Sequence, residues 1–276
     1  MWSNGNPSPL AGEGRRAAPG RGSLSLSESP SPVRGVAAAT LFRKGRGVVI
    51  AALLLAGCEN APAAPSARGF PPPDRPVASI VSSAFSNEDA RDALGEAETV
   101  MRLAGIARGM SVADIGAGEG YYTIRLSPLV GPKGRVLAQD IIPETRDKLA
   151  RRVERERLDN VYVRLGEPND PKLPPASFDR VLLIHMYHEI AQPAEFLWHL
   201  RGSLKPGGSV VVVDAERPTA NHGTPRALLV CEFKALGYTL QRFEQLNDKE
   251  SYFAQFAPTL PRPAPRDITR CTVPTG

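Results

Sequence analysis

The feature that most restricts how this chain can fold is the run Asp114-Ile115-Gly116-Ala117-Gly118-Glu119-Gly120. Ahead of it, Gly109 to Ile115 reads as a short apolar strand; behind it, Tyr121 to Leu129 reads as a helix. Glycines at alternate positions between a strand and a helix make a turn with no Cβ to hold a bound molecule away from the backbone. Such a turn opens a β-α unit, so strands and helices should alternate along the chain beyond it.

The alternation is legible. Upstream, Glu88 to Leu103 carries Leu94, Ala97, Val100 and Met101 at helical spacing. Downstream, Arg135 to Gln139 predicts a strand ending at Asp140, and Pro143 to Arg157 a charged helix with proline in its first turn. Val161 to Leu165 and Phe178 to Ile184 predict two more strands, the second with the unbroken apolar run of a central parallel strand. A helix from Pro193 to Leu204 stops at Lys205-Pro206-Gly207-Gly208, and Ser209 to Asp214 is another apolar strand. After a helix from Thr224 to Leu236, the strands Tyr238 to Phe243 and Tyr252 to Phe256 are joined by too few residues for a crossover helix. That last pair should be antiparallel. The whole predicts a doubly wound α/β sheet over residues 87–258.

The ends read differently. Residues 1–40 are rich in Gly, Pro, Ser, Ala and Arg without apolar periodicity, which predicts disorder. Phe42-Arg43-Lys44-Gly45-Arg46 then precedes an apolar run, Gly47 to Gly57, too short to span a membrane. A basic stretch, an apolar run and a small-residue end describe a secretory signal, so 1–57 is expected to be leader plus signal, with normal proportions if translation starts near Leu41. Leu55-Ala56-Gly57-Cys58 resembles a bacterial lipoprotein signal. That resemblance implies cleavage before Cys58, a lipid on its sulfur and a membrane-anchored place in the cell envelope; if the signal is unused, the chain stays in the cytoplasm. Pro and Ala dominate the expected tether, 58–86, and the Pro-rich 259–276 reads as an uncovered tail.

Charge excludes one class of partner. Seven of the 34 Lys and Arg but only two of the 29 Asp and Glu fall in 1–57, which leaves 27 of each sign in the remainder. The basic excess belongs to the leader, and a nucleic-acid-binding surface is not expected on the domain. The three cysteines, Cys58, Cys231 and Cys271, form no metal-ligand spacing. Cys231 and Cys271 can pair if the domain is exported and the fold brings them together.

The chemistry concentrates at the carboxyl ends of the predicted strands, where open α/β sheets bind ligands. Asp140, closing the second strand, is placed to accept both hydroxyl bonds of a ribose. The spacing of Gly116, Gly118 and Gly120 lacks the glycine at Tyr121 that a dinucleotide fingerprint requires. An acid at Asp114 suits a ligand carrying an ammonium group. After the fourth strand, His185-Met186-Tyr187-His188-Glu189 offers two imidazoles, which titrate near neutrality and can take a proton.

With Asp114 to Gly120, Asp140, the Phe178-Asp179 opening of the fourth strand and Leu204-Lys205-Pro206-Gly207-Gly208, the chain resembles class I S-adenosylmethionine-dependent methyltransferases over roughly 95–257. The resemblance implies a Rossmann-like seven-stranded sheet whose last strand is antiparallel. It implies S-adenosyl-L-methionine as cofactor, its methionine part at the glycine turn with Asp114, Gly116, Ala117 and Gly118, its ribose at Asp140, its adenine edge at the Gly166-Glu167 loop, and Ile141, His185 and one of the adjacent Tyr121 and Tyr122 also against it. His188, or His185, is the expected catalytic base, acting on a small-molecule acceptor. The metal set of catechol-type members is not assembled, so no metal is expected. A rival reading keeps the fold in an envelope lipoprotein as a non-catalytic binding module.

Overall fold

In the computed structural model, residues 69–80 and 87–272 are described, all within the compact unit Cys58–Gly276. Parallel strands buried on both faces need apolar runs without polar interruption, and this sequence supplies them at the centre of the sheet. The strands are β1 (Ser111–Ile115), β2 (Arg135–Asp140), β3 (Val161–Leu165), β4 (Phe178–Ile184), β5 (Leu204–Ala215), β6 (Tyr238–Gln245) and β7 (Ser251–Pro258). They form one seven-stranded sheet in the order β3-β2-β1-β4-β5-β7-β6. β1 to β5 pair in parallel, and β7 lies antiparallel between β5 and β6. The expected sheet and its antiparallel last strand are both present.

Helices cover both faces. Side chains alternate across a strand, so Val210 and Val212 of β5 enter one apolar layer while Val211 and Val213 enter the other. The first layer packs under α5 (Pro193–Arg201) and α6 (Arg226–Ala235) through Phe196, Leu197, Leu200, Leu229 and Phe233. The second packs under α2 (Glu96–Leu103), α3 (Tyr121–Val130) and α4 (Pro143–Arg155) through Val100, Leu126, Val130 and Leu149.

Two expected elements change at their ends. The helix predicted over Glu88 to Leu103 is two, α1 (Glu88–Ala93) and α2, broken at Gly95, which takes a left-handed conformation. The glycine-rich stretch before the fifth strand lies inside β5, because Leu204 already pairs with Phe178 and the register shifts before Ser209 pairs with Arg180. Lys205 to Gly208 is the bulge that takes up that shift.

The expected tether and tail are corrected more substantially. Phe70 is buried in the first apolar layer, edge-on to Trp198 at 5.7 Å. The Arg75 side chain has no exposed surface. Its Nε donates to Glu232 at 3.0 Å, and its terminal nitrogens donate to the carbonyls of Tyr187, His188 and Ile190 at 3.3 to 3.4 Å. At the other end, Trp198 Nε1 donates to the Pro263 carbonyl at 3.0 Å, Ile268 is buried, and Cys231 and Cys271 are joined in a disulfide. Closing a loop 40 residues apart in sequence is worth about 4 kcal/mol in chain entropy. Proline-rich chain has no period to reveal such docking; single anchors, Phe70 and Arg75, do the packing instead. Cys58 and the rest of the leader lie outside the described residues.

Glu232 is pushed upward by burial, while Arg75 and the Tyr187 hydroxyl act in the opposite direction. Replacing Arg75 with Met leaves that carboxylate without its cation. We expect a loss of about 3 kcal/mol in urea denaturation, the size typical of breaking a buried pair by removing one partner. A loss below about 0.5 kcal/mol would show that the pair contributes nothing beyond a surface ion pair.

Candidate active site

A cavity of about 240 Å³ opens at the carboxyl edge of β1, β2 and β4. Its floor is the turn from Gly116 to Glu119 between β1 and α3. Gly116 has φ 67°, and a Cβ there would stand 3.0 Å from the Met186 side chain. The turn is tied to its neighbour strand by two backbone donors: Ala117 N–H bonds the Gln139 carbonyl at 2.9 Å, and Gly118 N–H bonds Asp140 Oδ2 at 3.1 Å. Asp140 Oδ1 accepts from the Ile142 amide at 2.9 Å, which fixes the carboxylate at the cavity wall. Each oxygen keeps a further lone pair for a ligand hydroxyl.

Of the residues expected to contact a cofactor, Gly116, Ala117, Gly118, Tyr121, Asp140, Ile141, Glu167 and His185 all line this cavity. Of the adjacent tyrosines, Tyr121 is the one that lines it; its hydroxyl donates to Asp92 at 2.8 Å. Tyr122 packs in the apolar layer below and donates to Glu96 at 2.8 Å.

Asp114 is corrected. It does not line the cavity; its Oδ2 accepts the Thr123 hydroxyl at 2.6 Å, and the residue is 3% exposed. It lies one position before the end of β1, where it ties β1 to α3 beneath the turn. His188 is also corrected as the base that faces the ligand. It is fully buried and outside the cavity lining, with Nδ1 2.9 Å from Asp214.

His185 remains at the wall in a left-handed backbone conformation, φ 52°, which a non-glycine residue adopts only where surroundings hold it. Its Nε2 lies 3.4 Å from Glu96. Burial raises the Glu96 carboxyl, but hydrogen bonds with His185 and Arg91 outweigh it and hold the group at about 2. An ionised carboxylate therefore stands behind the imidazole at neutral pH.

Two lining residues carried no signal in the sequence. Arg91 reaches the cavity over the Tyr121 ring, 3.9 Å from its centroid, and pairs with Glu96 at 2.6 Å. Gln139 is 1% exposed, lines the cavity, and neither amide atom has a partner among the described residues. Its amide lies against Gly166, where a Cβ would fall 1.3 Å from Nε2. A buried amide left unbonded is costly unless a polar ligand meets it.

Residues 112–208 match the methyltransferase domain family. That stretch of the chain is therefore similar to a methyltransferase domain from β1 to the bulge of β5. A protein-L-isoaspartate O-methyltransferase of Methanothrix thermoacetophila is 33% identical over 110 residues, 40% of this chain and 50% of that protein. The ubiquinone/menaquinone biosynthesis C-methyltransferase UbiE of Pseudomonas aeruginosa is 29% identical over 159 residues, 55% of this chain and 59% of that one. The chain thus spans half to three fifths of the length of these two relatives. A solved S-adenosylmethionine-dependent methyltransferase from Aquifex aeolicus superposes with a TM-score of 0.59 at 26% identity, covering 64% of this chain and 98% of its own.

Within the matched stretch, Asp114 sets a pH dependence. Burial pushes its carboxyl up to about 6, against the opposing Thr123 hydrogen bond. A carboxyl whose folded value is raised binds its proton more tightly in the native state. Its contribution is complete below about pH 4 and is lost as pH rises through 6. Asp114→Asn should therefore flatten the fall in stability between about pH 4 and about pH 7 by up to about 3 kcal/mol, read from urea denaturation at a series of pH values. An unchanged slope would rule Asp114 out as the titrating group.

Proposed function

We propose that this chain transfers a methyl group from S-adenosyl-L-methionine to a small-molecule acceptor. The observation that carries the reading is the junction at which the Gly118 amide bonds Asp140, because it brings the glycine turn and a strand-end carboxylate to one wall of one cavity. The unpartnered Gln139 amide and the open space above Gly118 fit a nucleoside-bearing ligand. The domain match and the Aquifex structure support the same cofactor. Apolar lining from Ile141, Met186, Ile190 and Phe196 supports a small, largely apolar acceptor.

The bound cofactor supplies an electrophilic methyl on a sulfonium. The chain's own task is to hold and align the two reactants, since in-line displacement depends mainly on positioning. Asp140 holds the ribose hydroxyls, the glycine turn admits the amino-acid part, and Gln139 meets the adenine end. Of the two histidines, His185 is the one we assign to proton removal, because it lines the cavity and is oriented by Glu96.

We also propose that the protein is exported and carries a lipid at Cys58. The signal-like run before Cys58 supports this, and so does the Cys231–Cys271 disulfide, a bond that persists in oxidising compartments. No helix among the described residues is long and apolar enough to cross a membrane. That location favours a second reading, a binding module without turnover, because S-adenosylmethionine is made in the cytoplasm.

Calorimetry of the full chain with S-adenosylmethionine tests the pocket. We expect binding, weakened about 10- to 100-fold in Asp140→Ala, as for loss of charged hydrogen bonds. Gly166→Ala should weaken it as well, because the new methyl displaces the Gln139 amide. No binding, or equal binding by wild type and Asp140→Ala, would overturn the reading. Binding without methyl transfer to any acceptor in a broad panel would favour the binding module.

A further inference from the structure

On the far side of the turn that succeeds β4, two imidazoles face one another. The rings of His188 and His222 meet edge to face with centroids 5.4 Å apart. His222 ends the short 3-10 turn Thr219–Asn221 after β5, and His188 sits within the 3-10 turn Tyr187–Glu189 after β4. The adjacent Glu189 completes a group in which one donor atom from each of the three residues lies within 4.8 Å of the others.

The hydrogen bonds define which nitrogens are available. Asp214 Oδ1 accepts the Ala215 amide at 2.9 Å, and Oδ2 accepts the Thr224 hydroxyl at 2.7 Å. A carboxylate occupied by donors on both oxygens takes a proton-bearing nitrogen as its third partner, so His188 presents Nδ1–H to it at 2.9 Å. That leaves Nε2 with its lone pair pointing away from Asp214. Nε2 is buried and has no hydrogen-bond partner among the described residues, and Nδ1 of His222 is likewise buried and unpartnered among them. Two lone imidazole nitrogens, out of water and close together, are costly as hydrogen-bonding groups and well suited as ligands.

We propose that His188 Nε2, His222 Nδ1 and the Glu189 carboxylate bind one divalent first-row cation of the zinc type. Two imidazoles and one carboxylate are a donor set that zinc takes in tetrahedral sites. Asp214 plays the outer part in such sites: it orients the imidazole and makes its far nitrogen a better donor. Zinc distances near 2.1 Å place tetrahedral ligand atoms about 3.4 Å apart, so small side-chain rotations gather the group. Three protein ligands leave a coordination position for a further donor, and Glu189 also lines the cavity. The ion would therefore join the turns after β4 and β5 beside the cleft. The site does not depend on the methyl-transfer reading.

The test uses the full chain, stripped with a chelator under non-reducing conditions and titrated with Zn²⁺ by calorimetry and with Co²⁺ by visible absorption. We expect one equivalent of either ion and the d–d bands of a low-coordinate Co²⁺ site. Glu189→Gln and His222→Gln should lose stoichiometric uptake while keeping the wild-type circular dichroism. Asp214→Asn should bind about 10- to 100-fold more weakly. No stoichiometric uptake by folded wild type would overturn the site, as would uptake unchanged in His222→Gln. S-adenosylmethionine calorimetry on the same stripped protein separates the two failures, since the cavity's Asp140 wall contains none of the three ligands.

Discussion

The Arg75 guanidinium, fully withdrawn from water, is the interaction on which the architecture of the cleft depends. A buried cation must have its donors met, and this one meets a carboxylate on α6 and three carbonyls of the turn after β4. That turn is where the chain leaves the sheet edge, and it carries His185, His188 and Glu189. Two of these carbonyls also accept backbone amides, Tyr187 from Ile190 and His188 from Ala78, each at 3.2 Å, and Arg75 fills their remaining acceptor capacity away from water. The segment that supplies the donor lies more than a hundred residues earlier in sequence. The Tyr187 hydroxyl bonds the other oxygen of Glu232 at 2.8 Å, so cation, phenol and carboxylate set one another's positions. The wall of the cavity is thus braced from behind by a network that does not touch a ligand.

The sheet was legible in the sequence because a parallel sheet is written in contiguous apolar runs, and those at Phe178 and Ser209 have no other economical use. The cavity was legible where function coincides with an element's end, as at Asp140 and the glycine turn. Parity hid the rest. Asp114 and Asp140 look alike as acids closing strands, yet Asp140 is the last residue of β2 and Asp114 is followed by Ile115 in β1. That single position puts one carboxylate at the cavity wall and the other under the turn against Thr123. Gln139 was invisible because its role depends on the missing side chain of Gly166, which is across a strand pairing. Phe70 and Arg75 were invisible because a lone anchor in proline-rich chain leaves no periodic trace.

The two histidines show the same limit from another side. Spaced three apart, they would share a face on a regular helix. Only Tyr187 to Glu189 is helical here, and His185 precedes it with a positive φ that turns the backbone over. The pair is therefore divided: His185 with Glu96 at the cleft, His188 with Asp214 on the reverse. Each imidazole has its own carboxylate, drawn from a different part of the chain. A segment that reads as one catalytic patch is two sites back to back, sharing the backbone of five residues.

That division makes α6 mechanically important, although none of its residues lines the cavity. Adjacent residues on it hold the segments that flank the sheet on either side in sequence: Cys231 is bonded to Cys271, and Glu232 to Arg75. The two flanking segments also hold each other, since Arg270 pairs with Asp74 at 2.9 Å. Thr219, which opens the turn bearing His222, is tied to the same segment, its hydroxyl donating to the Pro76 carbonyl at 2.7 Å. Both histidine-bearing turns are therefore fastened to one strap, and the strap to one helix. Loosening the strap would leave the sheet intact, because its pairings do not involve these residues. From the sheet side, Asp214 of β5 holds the same two turns, through His188 Nδ1 at 2.9 Å and the Thr224 hydroxyl at 2.7 Å, so strap and sheet together set the separation of His188 and His222.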